Sequence, residues 1–547
     1  MSGGDATPTA KRPSTLASNR GTRGWFGFQI VATLCPAFFM KPTDSLLSAY
    51  GLSALGGVML FLGWAGFGIW PLEMVALVPL WAALEIIADR AWGTKLGVGW
   101  LYGTVGIAGG YHWMFEFSEA FSGFGTPINA ALFVVFSMYL GLQYGIQGLL
   151  YLWIRARGGS VATAALSTLI ATEWLFPRLF PDYLGNALIE LPLLVQTADL
   201  GGPLLVSLLV GIVNLVVFEA IRWRRGARAM PLEVSAAAFG FVAVTLLYGA
   251  FRIARVDAEV AAAPSIEVGL VQANMGIFEK HEQMLEGHRR HLEQSRDLEA
   301  QGPLDLLVWP ESAYNYPRFG RALPVLAKEV RADLKTPILF GGLTFAFEGK
   351  YGRLYNSVFL IDQDGFIGQT YDKTRLAMFG EYIPFGDRFP RLYALSPNSG
   401  RFEPGTHVAP LSLGPWRIST PICYEDVLPD LVRRMVTGAN PHILINLTND
   451  GWFGDTHEPW IHLRLAQFRA VEHRRYLVRA TNSGVSAVID PVGRVVASTR
   501  VGTRENLRAT VHMLHGQTLY AQVGDWPGWL SLLVVGLTLI RRQRPVG

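Results

Sequence analysis

Trp416-Arg-Ile-Ser-Thr-Pro-Ile-Cys423-Tyr-Glu-Asp-Val427 is the stretch on which the reading of this chain turns. An apolar run of β character, Ile418–Cys423, ends on a thiol. A carboxylate follows, and a helical pattern begins over Leu428–Thr437. A strand end set against a helix N-terminus is where a thiolate can be presented as a nucleophile. Only two cysteines occur in 547 residues, which excludes a disulfide framework. The other, Cys35, sits in an apolar stretch where a thiol is ordinary packing material.

Outward from that stretch, residues 264–520 alternate short β-runs with helical segments. The pattern predicts strands at Ile266–Gln272, Leu304–Trp309, Ile338–Gly342, Ser357–Asp362, Ile443–Leu447 and Ser486–Asp490. It predicts helices at Glu279–Glu299, Phe319–Leu334 and Trp460–Tyr476. Continuous apolar runs such as His442-Ile-Leu-Ile-Asn-Leu447 call for sheets buried on both faces. The expected architecture is α/β, layered helix–sheet–sheet–helix. A segment of roughly 260 residues is long enough for one large core.

The rest of the chain is apolar. Half of all residues are hydrophobic, 16% are charged, and mean hydropathy is positive. A helix needs about 20 apolar residues to cross the bilayer core. A bundle over residues 46–253 is expected, with spans near Leu46–Phe67, Pro71–Ile87, Leu96–Trp113, Ala130–Trp153, Val161–Leu179, Leu194–Ile221 and Val234–Phe251. One more is expected at Trp526–Ile540. Residues 1–24 read as a disordered basic tail without a signal-peptide core, and 25–45 as a short apolar or interfacial segment. Arg155, Arg157, Arg222, Arg224, Arg225 and Arg228 follow spans, as does the basic tail 541–547. The loop His112–Asn129 carries Glu116 and Glu119 but no Lys or Arg. The positive-inside rule puts the arginine ends in the cytoplasm and residues 264–520 on the other side, outside a bacterial inner membrane. Topology accounts for the arginines, so no nucleic-acid partner is expected.

Three strand exits carry chemistry. Leu306-Leu-Val-Trp-Pro-Glu311 ends on a carboxylate, Tyr371-Asp-Lys373 on an ammonium, and the opening stretch on Cys423. As a set they are a general base, a stabiliser of thiolate and oxyanion, and a nucleophile for an acyl carbon. The backbone N–H of Tyr424 is a candidate second oxyanion donor. His281, His288, His291, His457 and His462 have no acidic or cysteine cluster at ligand spacing, so no metal is expected. No G-x-S-x-G elbow is present.

Trp309-Pro-Glu311, Tyr371-Asp-Lys373 and Cys423-Tyr-Glu425 resemble the signatures of the nitrilase, or carbon–nitrogen hydrolase, superfamily. Phe379-Gly-Glu-Tyr-Ile-Pro-Phe385, Asn449-Asp-Gly-Trp-Phe-Gly454 and Thr481-Asn-Ser-Gly484, with spans before and after, narrow the resemblance to the apolipoprotein N-acyltransferases. That resemblance implies a nitrilase-like αββα sandwich on a multi-span helical bundle. It also implies transfer of a phospholipid acyl chain to the N-terminal cysteine amine of diacylglyceryl-lipoproteins, through a Cys423 thioester and without a cofactor. Glu311 is then the base, Lys373 the oxyanion partner and Cys423 the nucleophile. Glu381 resembles a second carboxylate beside the lysine, and Tyr424 and Glu425 adjoin the nucleophile. Lys373-Thr-Arg-Leu-Ala-Met-Phe-Gly-Glu381 departs from the family pattern, lacking its His and Pro, which leaves the shape of that loop open. The protein is expected to be a monomer. A membrane-tethered amidase is the alternative the same three residues would serve, and a non-catalytic membrane scaffold is the alternative of another class.

Overall fold

The computed structural model describes residues 45–122, 124–226, 232–276, 283–319, 323–348 and 351–540. The tail 1–24, the apolar segment at Trp25–Met40, Cys35, Arg228, His281 and the basic tail 541–547 lie outside the described residues.

The first half is helical. Its elements are α1 (Leu46–Gly63), α2 (Trp70–Glu73), α3 (Leu77–Ile86), α4 (Trp92–Gly110), α5 (Trp113–Phe121) and α6 (Thr126–Ala156). They continue with α7 (Val161–Leu175), α8 (Pro192–Val195), α9 (Ala198–Arg224) and α10 (Leu232–Ala262). Among the described residues four helices, α1, α6, α9 and α10, are long and apolar enough to cross a membrane; α7 is a shorter apolar helix. The stretch expected to span as Pro71–Ile87 is broken between α2 and α3. Its freed backbone groups are taken up by Asn214 of α9, which accepts from Leu77 N at 2.9 Å and donates to Glu73 O at 2.9 Å. Backbone at membrane depth must be satisfied inside the protein, and one amide side chain does that here. Helices α4 and α6 cross closely because both carry glycines. A Cβ on Gly99 would stand 2.3 Å from Tyr144 O, and one on Gly103 2.4 Å from Gly141 O.

The second half is a two-sheet sandwich. The first sheet runs β13-β1-β2-β4-β5-β6, with β3 on β4; the second runs β12-β11-β10-β9-β8-β7. The strands are β1 (Ser265–Gln272), β2 (Leu306–Val308), β3 (Tyr314–Phe319), β4 (Ile338–Glu348), β5 (Tyr351–Ile361) and β6 (Ile367–Asp372). The second half of the set is β7 (Leu411–Leu413), β8 (Trp416–Ser419), β9 (Ile443–Thr448), β10 (Leu477–Thr481), β11 (Ala487–Ile489), β12 (Val495–Ser498) and β13 (Glu505–His512). Each sheet has a parallel centre with antiparallel neighbours: β1, β2 and β4 in one, β8, β9 and β10 in the other. Ile443, Ile445 and Leu447 face the inter-sheet core with Val268, Leu270, Val308 and Leu339. Leu444 points the other way, to Val432, Leu463 and Ala466 of α13 (Pro429–Ala439) and α14 (Glu458–His473). Leu307 and Ile338 likewise meet Leu298, Leu326 and Val330 of α11 (Met284–Ala300) and α12 (Leu323–Arg331). Period-two alternation with apolar residues on both faces is what makes four layers. α15 (Leu519–Val523) leads to the apolar α16 (Trp526–Ile540).

The elements differ from the sequence expectation in three physical ways. β8 stops at Ser419 rather than Cys423, because Pro421 has no N–H to give the ladder and Cys423 takes a left-handed φ of 49°. Phe319 ends strand β3 instead of starting a helix, and α12 begins at Leu323. Strands β3, β7, β10, β12 and β13 were not expected, and β6 was anticipated only as the exit at Tyr371-Asp-Lys373. β13, with its polar Glu505-Asn-Leu-Arg, has weak periodicity and is held by full-length pairing with β1.

The two halves are locked by a buried ion cluster. Arg474, in a left-handed conformation at the end of α14, donates to Asp199 Oδ2 at 2.7 Å and to Gln196 Oε1 at 2.6 Å. Arg252 and Tyr248 of α10 reach the same carboxylate at 2.7 Å each. At the kink of α9, Gly202 leaves room for Tyr520, whose ring would stand 2.6 Å from a Cβ there. Arg474→Met should destabilise the protein by about 1.5–3 kcal/mol, because the buried Asp199 carboxylate loses one charged donor while Arg252 and Tyr248 remain. Thermal unfolding of purified protein in detergent tests this; an unchanged midpoint would show that the cluster does not hold the halves together.

Candidate active site

Glu311, Lys373 and Cys423 converge at one end of the sandwich, each just past a strand or its continuation. β2 leads through buried Trp309 and Pro310 to Glu311. The turn lies so close to β4 that a Cβ on Gly341 would stand 2.7 Å from Glu311 Cα, so this position requires glycine. β6 ends at Asp372, and Lys373 follows with its N–H on Asn356 O at 2.8 Å. Lys373 is 1% exposed, and its ammonium lies 2.9 Å from Glu381 Oε2 and 3.6 Å from Glu311 Oε1. Asn356 of β5 ties the two acids together, donating to Glu311 Oε1 at 2.7 Å and Glu381 Oε1 at 2.8 Å. Burial works against the Lys373 charge, but Glu381, Glu311 and Cys423 outweigh it and hold the amine above the ordinary lysine range.

The nucleophile candidate sits on a strained turn. Cys423 has φ 49° at the head of a 3₁₀ turn, Cys423–Val427. A left-handed non-glycine residue persists only where its surroundings hold it. Asn446 does so by donating to Pro421 O at 3.0 Å and Cys423 O at 3.1 Å. The turn closes with Glu425 N on Ile422 O, so the Tyr424 N–H lies ahead of the first closed hydrogen bond. Burial, and then the Glu311 carboxylate, push the thiol up; Lys373 and a hydrogen bond from Thr448 pull it down without offsetting them. The pull of Lys373 on the thiol is in the expected direction, but burial and Glu311 outweigh it.

Glu425 and Tyr424 brace this turn. Glu425 Oε1 accepts from Thr374 N at 2.7 Å and Arg375 N at 2.9 Å, while Oε2 accepts from Ile422 N at 2.9 Å. Tyr371 OH reaches both oxygens. One carboxylate thus fixes the lysine loop to the cysteine turn. The bonds go to the backbone N–H groups of Thr374 and Arg375, so the anchoring of the loop does not depend on the side chain at 375. Tyr424 OH donates to Leu179 O, and its ring meets Phe180 edge-on at 5.5 Å, tying the nucleophile turn to the helical bundle.

A cavity of about 560 Å³ opens over Cys423, Lys373, Glu311 and Glu381. The bundle contributes Phe117, Phe121, Leu179 and Phe180 to its wall. Phe121 packs on Trp452 at 4.5 Å and Phe117 on Phe453 at 5.7 Å, joining both halves in one aromatic lining. Met378, Phe379 and Phe385 of the loop after Lys373 are exposed, Phe385 to 77%.

A buried polar cluster lies behind the cysteine turn, and sequence reading missed it. His462 is 3.0 Å from Asp450 Oδ1 through Nδ1 and 2.9 Å from Asp426 Oδ1 through Nε2. Arg479 donates to Asp426 at 2.7 Å and to Asp450 at 3.0 Å. Burial and Arg479 push His462 down, but Asp426 and Asp450 lift it to about 10, so it is an imidazolium at neutral pH. The reason given for expecting no metal is corrected here: Asp450, Glu458 and His462 do place ligand-type atoms within 4.8 Å of one another. The geometry is nevertheless that of protein cations between carboxylates, since both imidazole nitrogens face acids and Arg479 covers Asp450. Asn356 and Asn446 gave no sequence signal; Asp426 and Asp450 lay in stretches already singled out, but their joining by His462 and Arg479 was signalled only by charged residues embedded in apolar runs, as in Leu477-Val-Arg479-Ala.

Comparison with known proteins agrees with this division of the chain. Residues 267–518 match the carbon-nitrogen hydrolase family, and 56–216 match the apolipoprotein N-acyltransferase N-terminal domain. An apolipoprotein N-acyltransferase of Geobacter metallireducens is 30% identical over 510 residues, covering 90% of this chain and 96% of its own. One from Rhodopseudomonas palustris is 28% identical over 527 residues, covering 91% and 95%. A nitrilase-superfamily structure from Saccharomyces cerevisiae aligns at 20% identity and TM-score 0.34, over 45% of this chain and 90% of that one.

The charges around Cys423 set an order of reactivity. Glu311→Gln removes a negative neighbour and should speed iodoacetamide labelling of Cys423 at pH 8. Lys373→Met removes the positive one and should slow it. Peptide mass spectrometry against time reads both; the reverse order would refute this account of the thiol.

Proposed function

The chain belongs to the apolipoprotein N-acyltransferase family, and on that footing we propose that it moves a fatty acyl chain from a membrane glycerophospholipid to the N-terminal cysteine amine of diacylglyceryl-lipoproteins. Cys423 is the nucleophile. As its sulfur attacks the ester carbon, Glu311 takes the thiol proton and passes it to the departing glycerol oxygen, leaving lysophospholipid and a thioester. Lys373, with the Tyr424 N–H, stabilises the oxyanion. Glu381 and Asn356 hold Lys373 and Glu311 in place, and Glu425 sets the distance between the lysine loop and the cysteine turn. The lipoprotein amine then attacks the thioester, giving an amide and free Cys423. A thioester is the right intermediate because it is activated toward amines, and a site opening toward lipid disfavours water.

One observation carries this reading over the tethered amidase: Phe117, Phe121, Leu179 and Phe180 of the bundle line the cavity above Cys423 together with the sandwich. A small amide has no use for Phe117, Phe121 and Phe180, whereas burying a long acyl chain is worth about 0.8 kcal/mol per methylene. The orientation follows from the bundle. α5 touches the sandwich, where Ser396 donates to Phe121 O and Asn398 to Ala120 O. α6 starts beside α5 and runs for 31 residues to Arg155, roughly 45 Å away. The arginine end is therefore far from the site, which supports a cytoplasmic arginine face and a periplasmic active site in the inner membrane.

Intact-mass analysis after incubation with phospholipid should show one fatty-acyl adduct on the Cys423 peptide, and none for Cys423→Ala. Lys373→Ala should lower the acylation rate about 10²–10³-fold. An adduct persisting in Cys423→Ala would end the assignment of the nucleophile.

A further inference from the structure

Glu458 is a second carboxylate in the same cavity, and the acyl-enzyme chemistry above gives it no task. It opens α14, fixed there by Pro459 and by its N–H on Thr456 Oγ1 at 3.3 Å. It is 3% exposed yet lines the cavity with Cys423 and Lys373. Its Oε1 stands 3.6 Å from His462 Nδ1, which is nearer Asp450, and its Oε2 has no hydrogen-bond partner.

The charges around it are already balanced. Asp426 and Asp450 are matched by the His462 imidazolium and Arg479. An ionised Glu458 would leave this buried cluster one negative charge in excess, so these neighbours favour the neutral acid. Burial and then Asp450 push its carboxyl well above the usual range, in agreement. A cation in the cavity reverses the preference, because it supplies the missing positive charge.

Of the two substrates in the proposed reaction, the acceptor brings such a cation next to the reacting centre by necessity. Its nitrogen must also lose two protons on the way from ammonium to amide. Attack on the thioester returns one of them, through Glu311, to Cys423 sulfur. The other needs a second base. Resting on the acyltransferase reading, we propose that Glu458 is the acceptor-side carboxylate, pairing with the lipoprotein's α-ammonium and taking its first proton. The balance closes as follows. Ammonium binding displaces the Glu458 proton to solvent. The ammonium then gives a proton to Glu458, becoming the free amine. The amine forms the C–N bond as the C–S bond breaks, and its second proton reaches sulfur. One proton is released overall, as conversion of ammonium plus thioester to amide plus thiol requires. A raised carboxyl is suited to this task because an α-amine titrates near 8.

The test separates the two half-reactions in full-length enzyme in phospholipid micelles. Glu458→Gln should acylate Cys423 from phospholipid at the wild-type rate. Its kcat/KM for transfer to a synthetic diacylglyceryl lipopeptide should fall about 10- to 100-fold, the effect of losing one charged hydrogen bond. A lipopeptide lacking the α-amine should inhibit both enzymes equally, which a collapsed site would not allow. Wild-type transfer in the variant, or a parallel loss of acylation, overturns the inference. A wild-type enzyme that forms no acyl adduct fails the underlying reading instead.

Discussion

A lysine ammonium buried to 1% exposure is the constraint around which this site is built. Taking such a charge out of water costs several kcal/mol unless partners compensate it. Glu381 at 2.9 Å and Glu311 at 3.6 Å do so, and Asn356 stops the two acids from drifting apart. Those partners come from the β2 exit, β5 and the loop after Lys373. The ion cluster can therefore form only when the first sheet has its native register. Glu425 extends the same demand to the second sheet, since its oxygens join the lysine loop to the cysteine turn. Placement of the candidate nucleophile is thus tied to the pairing of both sheets.

The second constraint is the membrane bundle. Tyr424 is bonded to Leu179, and the aromatic lining mixes Phe117 and Phe121 with Trp452 and Phe453. The site is incomplete without the bundle. The Asp199 cluster accounts for how the halves stay in register, with Arg474 from the sandwich and Arg252 and Tyr248 from α10 sharing one carboxylate. A sliding interface would widen the cavity and uncouple its two walls.

Much of this was legible in the sequence where the determinant is local. The strand exit at Leu306-Leu-Val-Trp-Pro-Glu311 read directly, since it contains both the apolar run and the group it delivers, whereas the run leading to Cys423 leaves the sheet at Ser419. Helices of the sandwich read from their periodicity. What was not legible depends on residues far apart in the chain. Asn356 matters only because β5 brings it between Glu311 and Glu381. His462 and Arg479 are charged residues in apolar runs until the fold sets Asp426 and Asp450 beside them. Hydropathy likewise reports that Pro71–Ile87 is apolar, but the break within it exists because Asn214, more than a hundred residues later, satisfies its backbone.

The upward push on the Cys423 thiol bears on how the proposed reaction would take two lipids in turn. The ammonium of Lys373 is matched against two carboxylates, so the group already carries one excess negative charge. A free thiolate would add another in a buried site, and burial with Glu311 holds it off. In the proposed tetrahedral intermediate Glu311 holds the thiol proton and is neutral, while the new negative charge sits on the substrate oxygen beside Lys373. The net charge of the site is then the same before and after attack; only its position changes. Such a site asks no solvent to rearrange around a new ion, which suits a cavity walled by aromatic rings. In the proposed reaction the sulfur gives up its proton only as an acyl carbon receives it, so the mechanism requires no standing thiolate between turnovers.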